Sequence, residues 1–281
     1  MDETPPSQEA GAGRPLYVED AGPRTAGSPP IVLLHGWACH GGYFGPQFEA
    51  LADRFRLIAP DLRGHRFSHR PGDVPNLATL ADDLQALLDQ LALRAPVLVG
   101  WSMGALVAFE FIRHHGCTGV AGLVVIDMTP RVVNDAGWRL GLLGGYGPAQ
   151  AEKAPELMRR DWPLWVETFL QSVFAAGRPH DLALFDWMRR EMRGCHPDAM
   201  AALWRAITDA DYRSIMQSIT VPTLIVRGAE SQLYGTGTAA WLARAIPAAE
   251  IATVAQAGHA PHLEQPAAFN RLLVEFIDGF K

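Results

Sequence analysis

A mostly parallel α/β sheet flanked by helices is the fold class that the sequence predicts, on three observations. Short apolar runs of strand length alternate with stretches of helical periodicity along most of the chain. Most of the runs are continuously apolar and do not alternate at every second residue, as in parallel strands covered on both faces. With 281 residues, 48% of them hydrophobic, the chain can bury one large core, or one core carrying an insertion.

Taken in order, residues 1–14 are polar and rich in Gly, Pro, Ala and Glu, and are expected to be disordered. Ile31-Val32-Leu33-Leu34 reads as a buried strand ending in His35-Gly36, and Phe55-Arg56-Leu57-Ile58-Ala59-Pro60 as a second, ending at Asp61. Leu77, Leu80, Leu84, Leu87, Leu88 and Leu91 recur every three or four residues, the apolar stripe of a helix. Val97-Leu98-Val99 is the next strand, with a helix beginning in Ala105-Leu106-Val107-Ala108-Phe109, and Leu123-Val124-Val125-Ile126 follows, ending at Asp127. Late in the chain, Pro222-Thr223-Leu224-Ile225-Val226 and Ile251-Ala252-Thr253-Val254 are strand-like, and Phe269, Leu272, Leu273, Phe276 and Ile277 mark a closing helix.

The alternation breaks between about Arg131 and Ser218, a helical stretch that holds Trp138, Trp162, Trp165, Trp187 and Trp204. Counting 123–126 as the sixth strand, this is an insertion after that strand, expected as a helical cap over the strand ends (residues 131–216) on a core of residues 15–130 and 217–281. In open α/β sheets the ligand crevice lies at those carboxyl ends. Most of the tryptophans are expected to build the cap's own core.

Composition excludes several classes. Net charge is −6 and no basic run exceeds a pair of arginines, so nucleic acid is not an expected partner. Cys39, Cys117 and Cys195 are odd in number and widely spaced, which argues against a disulfide framework or a structural zinc site and suits a reducing compartment. The acidic, turn-rich N-terminus lacks the pattern of a signal peptide. No apolar stretch approaches the roughly 20 residues that span a bilayer. A soluble, cytoplasmic protein is expected, without metal or organic cofactor.

The chemistry centres on Gly100-Trp101-Ser102-Met103-Gly104, a G-x-S-x-G between a strand and a helix. A serine on so sharp a turn is strained, and its hydroxyl stands exposed above the sheet at a helix N-terminus. Ser102 is the expected nucleophile, and it needs a base. His259, after the last strand run, is the candidate; His262, near the start of the next helix, competes. An oxyanion hole needs backbone donors, and the N–H groups of Met103 and Trp37 are expected to supply them. The indole of Trp101, with that of Trp37, is expected to wall the substrate pocket. A carboxylate must hold the imidazole. Asp127 ends one strand run and is favoured; Glu230, in Gly228-Ala229-Glu230-Ser231, is the alternative, and Ser231 itself cannot serve as the acid.

Together His35-Gly36-Trp37, Asp61-Leu62-Arg63-Gly64-His65, Gly100-Trp101-Ser102-Met103-Gly104 and Gly258-His259 resemble the α/β-hydrolase superfamily over nearly the whole chain after about Pro15. The HGW, the GWSMG and Ala257-Gly258-His259-Ala260-Pro261 are similar to carboxylesterases of the pimeloyl-carrier-protein methyl ester esterase kind. The resemblance implies the α/β-hydrolase fold and an acyl ester cleaved through a serine triad beneath a helical cap, with Ser102 as nucleophile, His259 as base and Trp37 as oxyanion donor. Two positions depart from it. The usual aspartate after the seventh strand is Ser231, and the glycine usual after Gly64-His65 is Arg66, which is expected to change that turn.

A serine carboxylesterase (EC 3.1.1 type) is therefore expected to act on a small-molecule or acyl-chain ester, which a carrier protein could present. Thioesterase, lactonase or perhydrolase chemistry on the same triad is an alternative, as is a non-catalytic binding module. Residues 131–220 carry eleven Lys+Arg and eleven Asp+Glu. Within them Arg159-Arg160 and Arg189-Arg190 suit either an acidic carrier protein or, more commonly, a solvated face. Oligomeric state is not legible.

Overall fold

The computed structural model describes residues 16–24 and 27–280, so the segment 1–14 lies outside the described residues. Among them seven strands form one sheet: β1 (Val18–Ala21), β2 (Ile31–Leu34), β3 (Leu57–Pro60), β4 (Val97–Trp101), β5 (Gly122–Ile126), β6 (Thr223–Gly228) and β7 (Ala249–Val254). Their order is β1-β3-β2-β4-β5-β6-β7. Every pairing is parallel except that of β1 with β3. Strands β2, β3, β4 and β5 are buried at every position, which is why their sequences are apolar without alternation. The edge strand β1, Val-Glu-Asp-Ala, has no apolar run and escapes sequence reading. The strand counted above as the sixth is accordingly β5, the fifth among the described residues.

Helices α1 (Gly45–Leu51), α2 (Leu77–Gln90) and α3 (Met103–His115) follow β2, β3 and β4. The leucine stripe of α2 is buried at Leu77, Leu80, Leu84, Leu87 and Leu88, each worth about 1.5–3 kcal/mol when fully buried. Its first turn is closed by Asn76, whose side chain accepts the Thr79 N–H while Thr79 accepts that of Asn76. Between β5 and β6 stand α4 (Pro148–Arg160), α5 (Trp162–Gln171), α6 (Leu182–Arg193) and α7 (Pro197–Asp209), α4 packing on α7 and α5 on α6. The chain closes with α8 (Thr236–Ala245), the short α9 (Pro261–Glu264) and α10 (Pro266–Asp278), whose Phe269, Leu273, Phe276 and Ile277 are buried.

The register positions the site. Leu34 lies opposite Gly100, Trp101 opposite Ile126, and Ile126 opposite Val226. Because these strands run in parallel, the residues just beyond them emerge together at one edge. Those are the His35-Gly36-Trp37 loop, Ser102, Asp127 and the segment from Ala229.

Candidate active site

Ser102 sits between the last residue of β4 and the first of α3 with φ 53° and ψ −119°, a left-handed backbone costly for a residue with a Cβ. The flanking glycines allow it by close approach. A Cβ on Gly104 would lie 2.0 Å from the Leu34 carbonyl oxygen, and one on Gly100 2.5 Å from the backbone of Ala105. Strand and helix therefore pass closer than any side chain permits.

His259 is 1% exposed in the loop between β7 and α9, and Asp127 is 4% exposed beyond β5. The His259 Nδ1–H donates to Asp127 Oδ2 at 2.8 Å. Ser231 Oγ donates to the same oxygen at 2.6 Å, so the residue standing where an acid is usual still touches the carboxylate. Asp127 itself takes φ 43°, held by its N–H to the Val226 carbonyl at 2.8 Å. Glu230 points elsewhere: its Oε2 accepts the Ala257 N–H at 3.1 Å. His262 is fully buried against Trp101 and Phe44, and neither of its ring nitrogens finds a partner among the described residues.

Ser102 and His259 line one small cavity with Gly36, Trp37, Trp101, Phe169, Met188 and Met192. Its volume is about 10 Å³, room for roughly one water molecule. A Cβ on Gly36 would stand 3.3 Å from Ser102 Cβ, which sets the Trp37 loop directly against the serine. Among the described residues the N–H groups of Trp37 and Met103 have no acceptor.

Two neutral imidazoles brace that loop. His35 Nε2 accepts the Leu62 N–H at 2.9 Å while its Nδ1–H donates to the Gly36 carbonyl at 2.8 Å. His65 Nε2 accepts the Ala38 N–H at 3.2 Å. Burial drives His35 well below its ordinary pKa of 6.5 and His65 down to about 4, so both remain acceptors at neutral pH. Beside them Asp61 accepts the Gly41 N–H at 2.9 Å, and burial pushes its carboxyl up to about 6. Arg66 adopts φ 37°, so the expected change of turn does not arise from a lost left-handed position: the arginine takes up that conformation itself, its guanidinium lying over Phe67.

Over residues 31–272 the chain matches the family described as "Alpha/beta hydrolase family". The chain belongs to the alpha/beta hydrolase family. Among its relatives is a pimeloyl-[acyl-carrier protein] methyl ester esterase of Nitrosospira multiformis, 30% identical over 93% of this chain and 97% of the relative. An esterase of Exiguobacterium antarcticum is 26% identical with a TM-score of 0.86, covering 94% of this chain and 96% of that one. Est816, described as an N-acyl homoserine lactone degrading enzyme, is 26% identical with a TM-score of 0.76 over 93% and 96% of the two chains.

In this hydrolase two contacts at the site were beyond sequence reading. The Trp101 indole N–H donates to the His259 carbonyl at 2.8 Å, so that side chain ties β4 to the histidine loop besides walling the cavity. The Trp37 indole N–H donates to the Met200 carbonyl at 2.9 Å, and its ring packs on Trp162, Phe169 and Trp204. The arginine pairs of the inserted helices are largely engaged in surface ion pairs. Arg159 meets Asp198, Arg189 meets Asp186, and Arg190 meets Glu191. Asp82, His114 and His115 group metal-type ligand atoms on an exposed face. Their histidines lie at the end of α3 opposite Ser102, and Arg113 sits 2.8 Å from His114 Nε2. Among the described residues no helix is long and apolar enough to cross a membrane.

Proposed function

We propose that the protein is a serine carboxylesterase working through an acyl-enzyme, with Ser102 as nucleophile, His259 as base and Asp127 as the acid. What carries the reading is the 2.8 Å bond from His259 to Asp127 at the cavity that also holds the strained Ser102. With Nδ1–H committed to Asp127, the other ring nitrogen of His259 is an acceptor for the serine proton. Ser102 Oγ attacks the ester carbonyl carbon as its proton passes to His259. The N–H groups of Trp37 and Met103 receive the oxyanion, each such donor being worth about 10²–10³ in rate. The imidazolium then protonates the departing alkoxide, and water, activated by the same imidazole, hydrolyses the acyl-enzyme.

In this reading residues 131–216 form a cap on a core of residues 15–130 and 217–281. A cavity of about 10 Å³ cannot admit an ester, so the cap helices shift to let one in. The apolar lining of Trp37, Trp101, Phe169, Met188 and Met192 suits an apolar acyl or alcohol group. Similarity to esterases that act on a carrier-bound methyl ester supports an acyl-chain substrate. The ion-paired arginines give less support to docking of a carrier protein. Lactone hydrolysis by the same groups is the second reading, favoured by the likeness to Est816. Rates on aryl esters of graded acyl length, an alkyl ester and a lactone, measured for the wild type and Ser102→Ala, test the proposal. Turnover that survives in Ser102→Ala would remove the serine from the reaction.

A further inference from the structure

Glu264, the last residue of α9, carries a carboxylate that no lysine or arginine pairs among the described residues. Its oxygens are spent on three backbone N–H groups. Oε1 accepts from Gly258 at 2.7 Å and from Ala260 at 3.4 Å, the two residues that flank His259. Oε2 accepts from Ala175 at 2.8 Å, in the turn after α5. The His259 N–H donates to the Val173 carbonyl, in that same turn, at 2.7 Å. Gly258 closes the joint: a Cβ there would stand 2.4 Å from the backbone of Phe174.

We propose that Glu264 is a positioning residue for the catalytic histidine, joining the His259 loop to the turn at residues 173–175 so that the base and one wall of the cavity move as a unit. The inference rests on His259 being the base. A carboxylate shared by the amides on both sides of a histidine fixes where its ring stands, and Val173 of the same turn lines the cavity with Ser102. Asp127 orients the ring through Nδ1; Glu264 orients the backbone that carries it. The negative charge also favours the imidazolium that forms during the reaction.

Retaining an ionised group there works against stability. Burial raises the Glu264 carboxyl above its ordinary pKa, while the three N–H groups and His259 draw it back. Glu264 faces Arg178, His180 and Asp181 of the α5–α6 connection across a cavity of about 260 Å³. On its other side stand His259 and, through Ala257, Glu230.

Two variants separate reach from charge. Glu264→Gln keeps the length, removes the charge and leaves a single acceptor oxygen, so either the Ala175 or the Gly258 N–H loses its partner; Glu264→Asp keeps the charge and both acceptors and cannot span from α9 to residue 175. The measurements are kcat and KM on an aryl ester across pH, the thermal midpoint, and amide exchange at residues 173–175 and 257–260. The expected result is a fall in kcat of about tenfold or more in both variants, from displacement of the base. Exchange should be faster in both segments, and the thermal midpoint of Glu264→Gln should fall by no more than about 10 °C, the cost of one N–H left without an acceptor. The acid limb of kcat/KM should move to lower pH in Glu264→Gln and stay in place in Glu264→Asp. Wild-type kcat and an unmoved limb in Glu264→Gln would overturn the proposal, as would an activity loss that merely tracks the thermal midpoint. Should one variant not fold, the other still decides on kcat and exchange. An inactive wild-type protein would instead defeat the esterase reading, whereas the exchange data would still report on the joint.

Discussion

Replacing Asp127 by asparagine keeps the side chain's size and removes its charge at the contact that orients the His259 ring through Nδ1. Asp127 Oδ2 receives two donors, the His259 Nδ1–H at 2.8 Å and the Ser231 hydroxyl at 2.6 Å. An asparagine can meet them in two ways. With its NH₂ at that position, His259 must accept through Nδ1, which moves the ring proton to the nitrogen that should take the serine proton; a wrong tautomer of this kind costs about 10⁴ in kcat. With its carbonyl oxygen there the tautomer survives, and only charge stabilisation of the imidazolium is lost, on the order of 10². Asp127→Asn should therefore lose between about 10² and 10⁴ in kcat, roughly 2.7–5.5 kcal/mol of transition-state stabilisation. Glu230→Gln should stay within about twofold of wild type, because Glu230 serves the Ala257 N–H and does not reach the imidazole. The assay is initial-rate hydrolysis of an aryl ester at saturating concentration, with circular dichroism to confirm that each variant is folded. Activity of Asp127→Asn within tenfold of wild type would falsify this assignment. A larger loss in Glu230→Gln than in Asp127→Asn would move the acid to Glu230.

Three further outcomes follow from the structure. His35, His65 and His262 are fully buried with pKa values depressed by desolvation, His65 to about 4 and His262 to about 3. Each binds fewer protons folded than unfolded as pH drops from about 6.5 toward the folded value, so acid favours unfolding. One unit below 6.5 each costs about 1.4 kcal/mol, and Asp61, raised to about 6, offsets about 1 kcal/mol because its folded form takes up a proton first. Buried His40, lowered by desolvation to about 3, adds about 1.4 kcal/mol, so denaturant titration should show a net loss of about 4–5 kcal/mol between pH 7.5 and 5.5, and flat stability over that range would contradict neutral buried imidazoles. Met188→Ala and Met192→Ala, which open the cavity over Ser102, should each destabilise the fold by about 2–5 kcal/mol yet raise the rate on long-acyl relative to short-acyl esters; an unchanged chain-length profile would show that these methionines do not limit access. Gly104→Ala, with its Cβ 2.0 Å from the Leu34 carbonyl, should lower the thermal midpoint by at least about 10 °C, and a midpoint within about 2 °C of wild type would mean that strand and helix can part at no cost.

The parts of this protein legible in the sequence are those written in contiguous residues. Buried parallel strands announce themselves as unbroken apolar runs, and the Gly-Trp-Ser-Met-Gly turn is local, so both can be read without a fold. Asp127 was readable at one remove, as a carboxylate at the end of such a run. Ser231 shows where reading by residue type stops. It lacks an acid, as its side chain dictates, but its hydroxyl bond to Asp127 depends on β5 and β6 being neighbours. The Trp101 bond to the His259 carbonyl and the grip of Glu264 on Ala175 span 158 and 89 residues, and no spacing encodes them. Arg66 teaches the converse: a missing glycine suggested another turn, whereas the surrounding structure holds an arginine at positive φ. β1 was invisible because four half-buried residues, two of them acidic, carry no apolar signal.

If Ser102 is a nucleophile activated by the His259–Asp127 pair, a serine-directed reagent should find it. Incubation with a fluorophosphonate, followed by intact mass and peptide mapping, tests it most directly, since the reagent needs an activated serine and no knowledge of the substrate. A single adduct on Ser102 is expected, formed at least about 10²-fold more slowly in Asp127→Asn and absent in Ser102→Ala. A folded wild-type protein that remains unlabelled, or one that labels at another residue, would contradict it.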